Sequence, residues 1–410
     1  MSPVEEQLMS ILFQIQGYVA KKIEFDSANR RIDIDVEAIS QSRCPECLFP
    51  HRRYDSSKQS IYIGSILGRA IYANLQVWRV ECPVCGVLTE KQGISEGKKR
   101  YSKAVGREMV RFTELLDNKA VAKLSGLSPI TVYRIDREEL AKMLAEYQKH
   151  ISAPPVVSVD EVSYKKRHNY ATVLTNYQDA KVIWLEKDRK AKDLNRAYKV
   201  LGKSRHEIKT VAIDFWPAYE KSTRAKLPQA RIIYDRFHLS RILNRKVEEE
   251  RREYQKQLPE DERRELKKDC RWLILKRRSN LNDDNINHLD ELKQFNEPLY
   301  ELYLLKEDFL DIFERGKEVD QARQEILAWI DIVLASNFRK LKAFVRTILR
   351  RLETILNWFL TPISNAKAEG VNNVIKTLLK RAYGYKDFDY FRMKVLQTRG
   401  YLMNYATHSF

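Results

Sequence analysis

The sequence predicts a multidomain α/β protein, and three observations predict it. The first 100 residues hold strand-like segments around two Cys-x-x-Cys pairs. Residues 101–150 read as helix. From residue 154 short apolar strands alternate with helices, and a stretch rich in Glu, Lys, Arg and Leu then reads as helix from 240 to 360. The 410 residues suit about two to four domains. A hydrophobic fraction of 43% is enough for real cores and excludes a disordered basic tail.

In the first region, Cys44-Pro45-Glu46-Cys47 and Cys82-Pro83-Val84-Cys85 hold four of the five cysteines. A secreted disulfide scaffold is denser in cysteine. Two thiolates at this spacing turn back onto one ion, and two such knuckles complete a tetrahedral zinc site, so one structural Zn²⁺ is expected. The segments Ser60 to Ile66 and Arg69 to Val80 alternate with period two around Gly64 and Gly68, the pattern of a small sheet joining the knuckles. This reads as a zinc ribbon; the other readings are chance or a single redox-active pair. His51 is a further candidate contact, although a lone histidine is more often no ligand. Cys270, alone in a helical region, reads as packing.

In the second region, Asn118 to Arg134 reads as a helix-turn-helix. Ala122 is small where two helices cross, Gly126 suits the turn, and Val132 packs the second helix on the first. Ser128-Pro129 is an N-cap followed by proline at the first helical position. The second helix therefore starts at Pro129 and carries Thr131, Tyr133 and Arg134 near its N-terminal end, the end that enters the major groove in such motifs. An ordinary helical hairpin is the alternative.

In the third region the expected order is β-β-β-α-β-α-β: strands Val156–Tyr164, Tyr170–Asn176 and Lys181–Glu186, a helix around Lys192–Leu201, a strand Ile208–Phe215, a helix around Pro217–Leu227 and a strand Arg231–Tyr234. Val156 to Val159 and Val211 to Ile213 are apolar on both faces, as strands between helix layers are. Each run stops at an acid, Asp160 and Asp214. A buried ionised Asp is costly unless it is paired or binds metal. Two on neighbouring strands repel each other and need cations, which is how Mg²⁺ sites are built. Beyond Thr361-Pro362 a third acid appears. Val371, Val374, Ile375 and Leu378 form one apolar helical stripe, with Asn365, Glu369, Asn372, Asn373, Lys376 and Lys380 on the other side.

The balance of 74 Lys and Arg against 56 Asp and Glu gives a formal charge of +18. That makes nucleic acid the default partner, with an anionic membrane surface second. No apolar run reaches the ~18–20 residues of a membrane span. The N-terminal residues lack a signal-peptide pattern, so an intracellular protein is expected.

Asp160, Asp214 and Glu369 resemble the Asp-Asp-Glu triad of RNase H-like transposases, and the local words are most similar to the insertion-sequence transposases of the ISL-three family. The double CxxC ribbon carries this likeness. So do Val159-Asp160-Glu161 with His168-Asn169-Tyr170, Asp214-Phe215-Trp216-Pro217-Ala218-Tyr219 leading to Pro228-Gln229-Ala230 and Asp235-Arg236-Phe237-His238, and Ser364-Asn365-Ala366-Lys367-Ala368-Glu369-Gly370-Val371-Asn372-Asn373. It covers the chain from about residue 40 onward. Ala366 stands where the family often has glycine.

The resemblance implies an RNase H-like mixed-sheet catalytic core with a helical insertion between the second Asp and the Glu, preceded by the zinc ribbon and the helix-turn-helix. The expected boundaries are 1–100 for the ribbon region, 101–153 for the helix-turn-helix, 154–240 for the first part of the core, 241–360 for the insertion and 361–410 for helices completing the core. It also implies a DNA transposase using two Mg²⁺ (or Mn²⁺) ions. Asp160 bridges both, Asp214 and Glu369 each hold one, and cleavage is followed by 3′-OH strand transfer. Its partners are double-stranded DNA, at terminal inverted repeats and target, and a second copy of the chain. No membrane partner is expected; the site of action is the bacterial cytoplasm at the nucleoid.

His238 is a candidate catalytic side chain with a packed histidine as the alternative, and Asp235 is a rival third acid. Asn365 and Asn372 are candidate DNA contacts, and Lys165, Lys166, Arg167, Lys376, Lys380 and Arg381 are candidate phosphate contacts or solvated charges. Two rival functions stand beside the transposase: another RNase H-like nuclease such as a resolvase, and a non-catalytic DNA-binding regulator derived from a transposase.

Overall fold

The structure is a computed structural model, and it describes residues 10, 12–97, 99–165, 169–260, 263, 270–314, 318–363 and 366–406. The chain divides into two compact units: Met1–His150 with Lys376–Phe410, and Ile151–Ile375.

The first unit opens with β1 (Tyr18–Asp26) and β2 (Arg31–Ala38), followed by β3 (Arg52–Ile66), β4 (Arg69–Cys82) and β5 (Gly86–Thr89). The sheet order is β1-β2-β4-β3, with β5 on β4. Only β2 and β4 run parallel; the other pairs are antiparallel. The sequence reading sets out no strand before Cys44. Yet β2 alternates cleanly, burying Ile32, Ile34 and Val36 while its acidic neighbours face out. The expected ribbon is thus one end of a larger mixed sheet.

Three helices follow: α1 (Lys103–Leu115), α2 (Asn118–Ser125) and α3 (Pro129–His150). Asp117 caps α2, accepting from the backbone N–H groups of Lys119 and Ala120. Gly126 ends α2 in the left-handed conformation (φ +68°), which glycine tolerates. Val132 and Ala122 are both buried between these helices, as the spacing anticipates.

The second unit is built on β6 (Val156–Lys165), β7 (Asn169–Asn176), β8 (Lys181–Lys187), α4 (Ala191–Val200), β9 (Thr210–Ile213), α5 (Pro217–Lys226) and β10 (Arg231–Tyr234). The order along the chain is the anticipated β-β-β-α-β-α-β. In space it is β10-β9-β6-β7-β8, with β6 at the centre. The first three strands are antiparallel, and β9 and β10 lie parallel to β6. Strand β9 is half the expected length. At Asp214 the chain turns, the Trp216 N–H bonding back to the Asp214 carbonyl at 2.7 Å, so the acid sits just past the ladder.

A long α6 (Arg236–Gln257) leaves the sheet, followed by α7 (Cys270–Leu275), α8 (Asp283–Phe295), α9 (Glu297–Ile312), α10 (Val319–Ala335), α11 (Arg339–Leu349) and α12 (Leu352–Leu360). Phe309, Trp329 and Phe344 meet at its centre, the Phe309 ring lying 4.7 Å and 5.3 Å from the other two. Cys270 is buried in this stretch, where burial pushes its thiol up to about 11. Asn357 on α12 donates to the Ile232 carbonyl of β10 at 2.8 Å and ties the helices back to the sheet.

Then come α13 (Ala366–Arg381) and α14 (Phe388–Arg399). In the structure α14 packs in the first unit against α1 and α3, where Lys394 and Tyr390 bond a buried carboxylate, Asp136. No helix among the described residues is long and apolar enough to cross a membrane.

Candidate active site and cysteine cluster

Register alone brings the first two acids together. Strands β6 and β9 run parallel with Val159 beside Ile213, so the next residues, Asp160 and Asp214, come side by side. Strand β10 lies parallel to β9 and delivers Asp235, whose carboxylate caps α6 by accepting from the Phe237 N–H at 3.1 Å. One turn into α6, His238 Nε2 lies 2.9 Å from Asp214 Oδ1 and 3.5 Å from Asp235 Oδ2. Asp160, Asp214 and His238 each offer a ligand atom within 4.8 Å of the others.

These charges are out of water. Burial, and then the Asp214 carboxylate, push Asp160 up to about 7. Burial likewise raises Asp235. For His238 burial opposes the charged form, but the hydrogen bond and charge of Asp214, with Asp235, prevail and its pKa is raised. Asp160 Oδ1 accepts from the Glu161 N–H at 2.7 Å, and Oδ2 accepts from Asn372 Nδ2 at 2.6 Å. The Asn372 amide oxygen is buried without a hydrogen-bond partner among the described residues. Two carboxylates, an imidazole and an orphaned amide oxygen form a donor set that fits a divalent cation.

Glu369 lies in the first turn of α13 and is exposed, outside the 4.8 Å cluster. It sits one turn before Asn372, so α13 reaches the acid pair through the amide. The helix has the two faces anticipated, Val371, Ile375 and Leu378 being buried.

Beside the acids is a group that sequence reading missed. Arg189 stacks over Tyr170 (4.2 Å to the centroid) and Trp216 (4.8 Å), and pairs with Glu161 at 3.0 Å. The Trp216 indole N–H donates to the Arg189 carbonyl at 3.2 Å. Glu161, on the opposite face of β6 from Asp160, is thereby engaged away from the acid pair. The signal was present in acids and aromatics one or two residues from Asp160 and Asp214; nothing local pointed to Arg189.

The remaining candidates separate by surroundings. Arg134, Lys165, Lys376 and Lys380 are exposed. The Thr131 hydroxyl is 2.8 Å from that of Ser128, inside the cap of α3. Tyr133 meets Tyr390 edge-on and its hydroxyl donates to Asp387. Arg381 donates to the carbonyls of Leu115 and Glu114 at the end of α1. Tyr133 and Arg381 thus have partners within the fold. Lys166, Arg167 and Asn365 lie outside the described residues.

The four N-terminal cysteines also converge, their sulfurs lying within 4.8 Å of one another. The β4–β5 turn presents one knuckle and the loop before β3 the other. The Cys85 N–H donates to Cys82 Sγ at 3.3 Å, and this bond holds that thiol down at about 7. Four sulfurs at this separation fit one tetrahedral Zn²⁺. His51 Nε2 stands 3.5 Å from Cys47 Sγ, within hydrogen-bond reach of one sulfur of the cluster.

Against known proteins, the features resolve to one class. A family model described as a transposase, of the ISL-three DDE type, matches residues 157–395. The transposase of insertion sequence element IS1001 from Bordetella parapertussis is 28% identical over 401 residues, covering 96% of this chain and 98% of that protein. The transposase of IS1557 from Mycobacterium tuberculosis is 22% identical over 343 residues, 77% of this chain and 76% of that one. Among solved structures, the Drosophila P element transposase strand transfer complex aligns with a TM-score of 0.33 at 10% identity, over 74% of this chain and 91% of that chain. The protein is a DNA transposase. It belongs to the ISL-three family of insertion-sequence transposases, DNA-cleaving and strand-transferring enzymes that use divalent metal.

Proposed function

We propose that this transposase binds the terminal inverted repeats of its insertion sequence, cuts there, and joins the freed 3′ ends to target DNA. The observation that carries the reading is the pairing of Asp160 and Asp214 at matching register on parallel strands, with His238 against Asp214. In this reading the five-stranded sheet, antiparallel through β6-β7-β8 and parallel through β6-β9-β10, is an RNase H-like core. Residues 154–240 supply most of it, 241–360 are an insertion, and α13 returns Glu369.

Asp160, with Asp214 for one ion and Glu369 for the other, would hold two divalent cations, Mg²⁺ or Mn²⁺. When bound, such ions supply Lewis acidity to the attacking and leaving oxygens. Asn372 fixes the Asp160 carboxylate. His238 orients Asp214 and meets the scissile phosphate. In the first step water adds to phosphorus at the element end, loses a proton to solvent, and the 3′-oxygen leaves as a hydroxyl. In the second, that 3′-OH attacks a target phosphodiester and displaces the target's own 3′-oxygen. No protein nucleophile is consumed.

The cysteine cluster, with one structural Zn²⁺, and α2–α3 select the end sequence through Thr131 and Arg134. Lys165, Lys166, Arg167, Lys376 and Lys380 hold phosphates. A second copy of the chain brings two ends together, and the enzyme acts at the nucleoid in the cytoplasm. The test is cleavage and joining of DNA carrying the element ends with Mg²⁺. Asp160→Ala and Glu369→Ala should each lose at least about 100-fold in both steps, on the scale of removing a transition-state electrostatic contact. Hydrolysis without joining rejects the transposition chemistry, and undiminished cleavage by Glu369→Ala removes that residue from the triad.

A further inference from the structure

The β3–β4 hairpin ends in a feature that neither the acids nor the cysteines use. Its turn is Leu67-Gly68, with φ of +50° and +70°. Such a turn suits Asn-Gly or Asp-Gly, and leucine there occupies the left-handed region that L side chains disfavour. Leu67 gains no packing in return, since it is 97% exposed. Ile66 and Leu124 beside it are 54% and 55% exposed.

The prong is held firmly against the helix-turn-helix. Ser65 Oγ donates to the Leu124 carbonyl at 3.1 Å, and the Tyr62 hydroxyl donates to the Ser125 carbonyl at 2.9 Å. A Cβ on Gly126 would lie 2.6 Å from the Ala70 nitrogen and 2.9 Å from the Gly68 carbonyl, so only glycine lets this turn seat on the hairpin. The Ala70 N–H donates to the Arg30 carbonyl at 3.2 Å, which brings the β1–β2 turn alongside. Leu67 therefore projects at a fixed position beside the end of α2 and the turn that leads into α3. Arg30, Arg69 and Lys123 lie on the segments that meet at this tip, exposed and in no ion pair among the described residues.

An apolar prong ringed by uncompensated cations matches the minor groove, where phosphates line both rims and apolar side chains wedge between base steps. We propose that the β3–β4 hairpin tip is a second DNA contact of this transposase. Leu67 enters the minor groove next to the sequence met by α3, and Arg30, Arg69 and Lys123 hold the flanking phosphates. The inference rests on the helix-turn-helix reading.

The test is Leu67→Gly in the full chain, because glycine relieves the left-handed strain and removes only the prong. Thermal unfolding should be unchanged or improved. Binding to DNA carrying the element end should weaken by about 10- to 100-fold, the worth of burying one leucine side chain, and the bend read by end-to-end energy transfer should relax. Arg134→Ala serves as the reporter of α3. Unchanged binding and bend in Leu67→Gly with impaired Arg134→Ala overturns the tip contact alone; unchanged binding in both variants overturns the helix-turn-helix reading with it. If wild type binds anionic phospholipid vesicles, and Leu67→Gly loses that binding while keeping its DNA affinity, the prong belongs to a membrane surface and the proposal fails.

Discussion

Asp160 is where the chemistry of the chain is most concentrated. It sits on the central strand, and burial followed by Asp214 push it up to about 7. Because this folded-state pKa is raised, the neutral acid favours the fold. That contribution is complete below the ordinary carboxylate pKa and fades as pH rises toward 7. The metal-free protein should therefore lose thermal stability between about pH 4 and pH 7. Asp160→Asn, which cannot ionise, should flatten that dependence. Cation binding requires the ionised acid, so Mn²⁺ should release close to one proton at pH 6 and almost none above pH 8. Calorimetry in two buffers of different ionisation enthalpy measures this, and proton release independent of pH would exclude Asp160 as a ligand. Both acids were legible because each ends an apolar run. Arg189, Glu161 and Trp216 were not, since their association needs three segments to meet.

Among the elements, the knuckles make the strongest sequence signal and the most local one. If the proposed Zn²⁺ is bound there, four thiolates around it would stabilise a small sheet end whose apolar support is little more than Val80 and Leu88. Chelation should release one Zn²⁺ per chain and speed amide exchange in β5 and the adjoining part of β4, with β6 to β8 unchanged. Protein that carries no zinc and exchanges identically with chelator would remove the metal from the ribbon. The α2–α3 helical hairpin was equally legible from Gly126 and Ser128-Pro129, because turn and cap chemistry act over a few residues. Strands β1 and β2 are less legible although Ile32, Ile34 and Val36 alternate, since no glycine or proline marks the turn at 27–30. The end of β9 is not legible in composition, because the turn at Asp214 lies in backbone bonding.

The first unit is assembled from both ends of the chain. Lys394 Nζ lies 3.2 Å from Asp136 Oδ2 and donates to the Thr113 carbonyl at 2.6 Å, while the Tyr390 hydroxyl donates to Asp136 at 2.6 Å. Burial pulls the Lys394 pKa down, against the opposing pull of Asp136. Replacing Lys394 by Met strands a buried carboxylate and should cost about 3–5 kcal/mol, read from urea unfolding. Asp136→Asn in addition should recover much of that loss, whereas full additivity of the two changes would mean the pair is not coupled. The same clamp fixes Tyr133 and Arg137 of α3 through Asp387, whose acid pairs Arg137 at 2.8 Å.

By itself the sequence determined the family, the polyanionic partner, the cysteine cluster, the helical hairpin and the two strand-end acids. Each depends on local spacing or on total charge, which one chain carries without reference to its fold. The tertiary structure decided which acids share a site, joining Asp160 and Asp214 to His238 and Asn372. It gave Tyr133 and Arg381 partners inside the fold, and it returned α14 to the N-terminal unit. Those outcomes depend on strand register and on buried charges finding partners hundreds of residues away, where a lone carboxylate such as Asp136 must be matched or left at high cost.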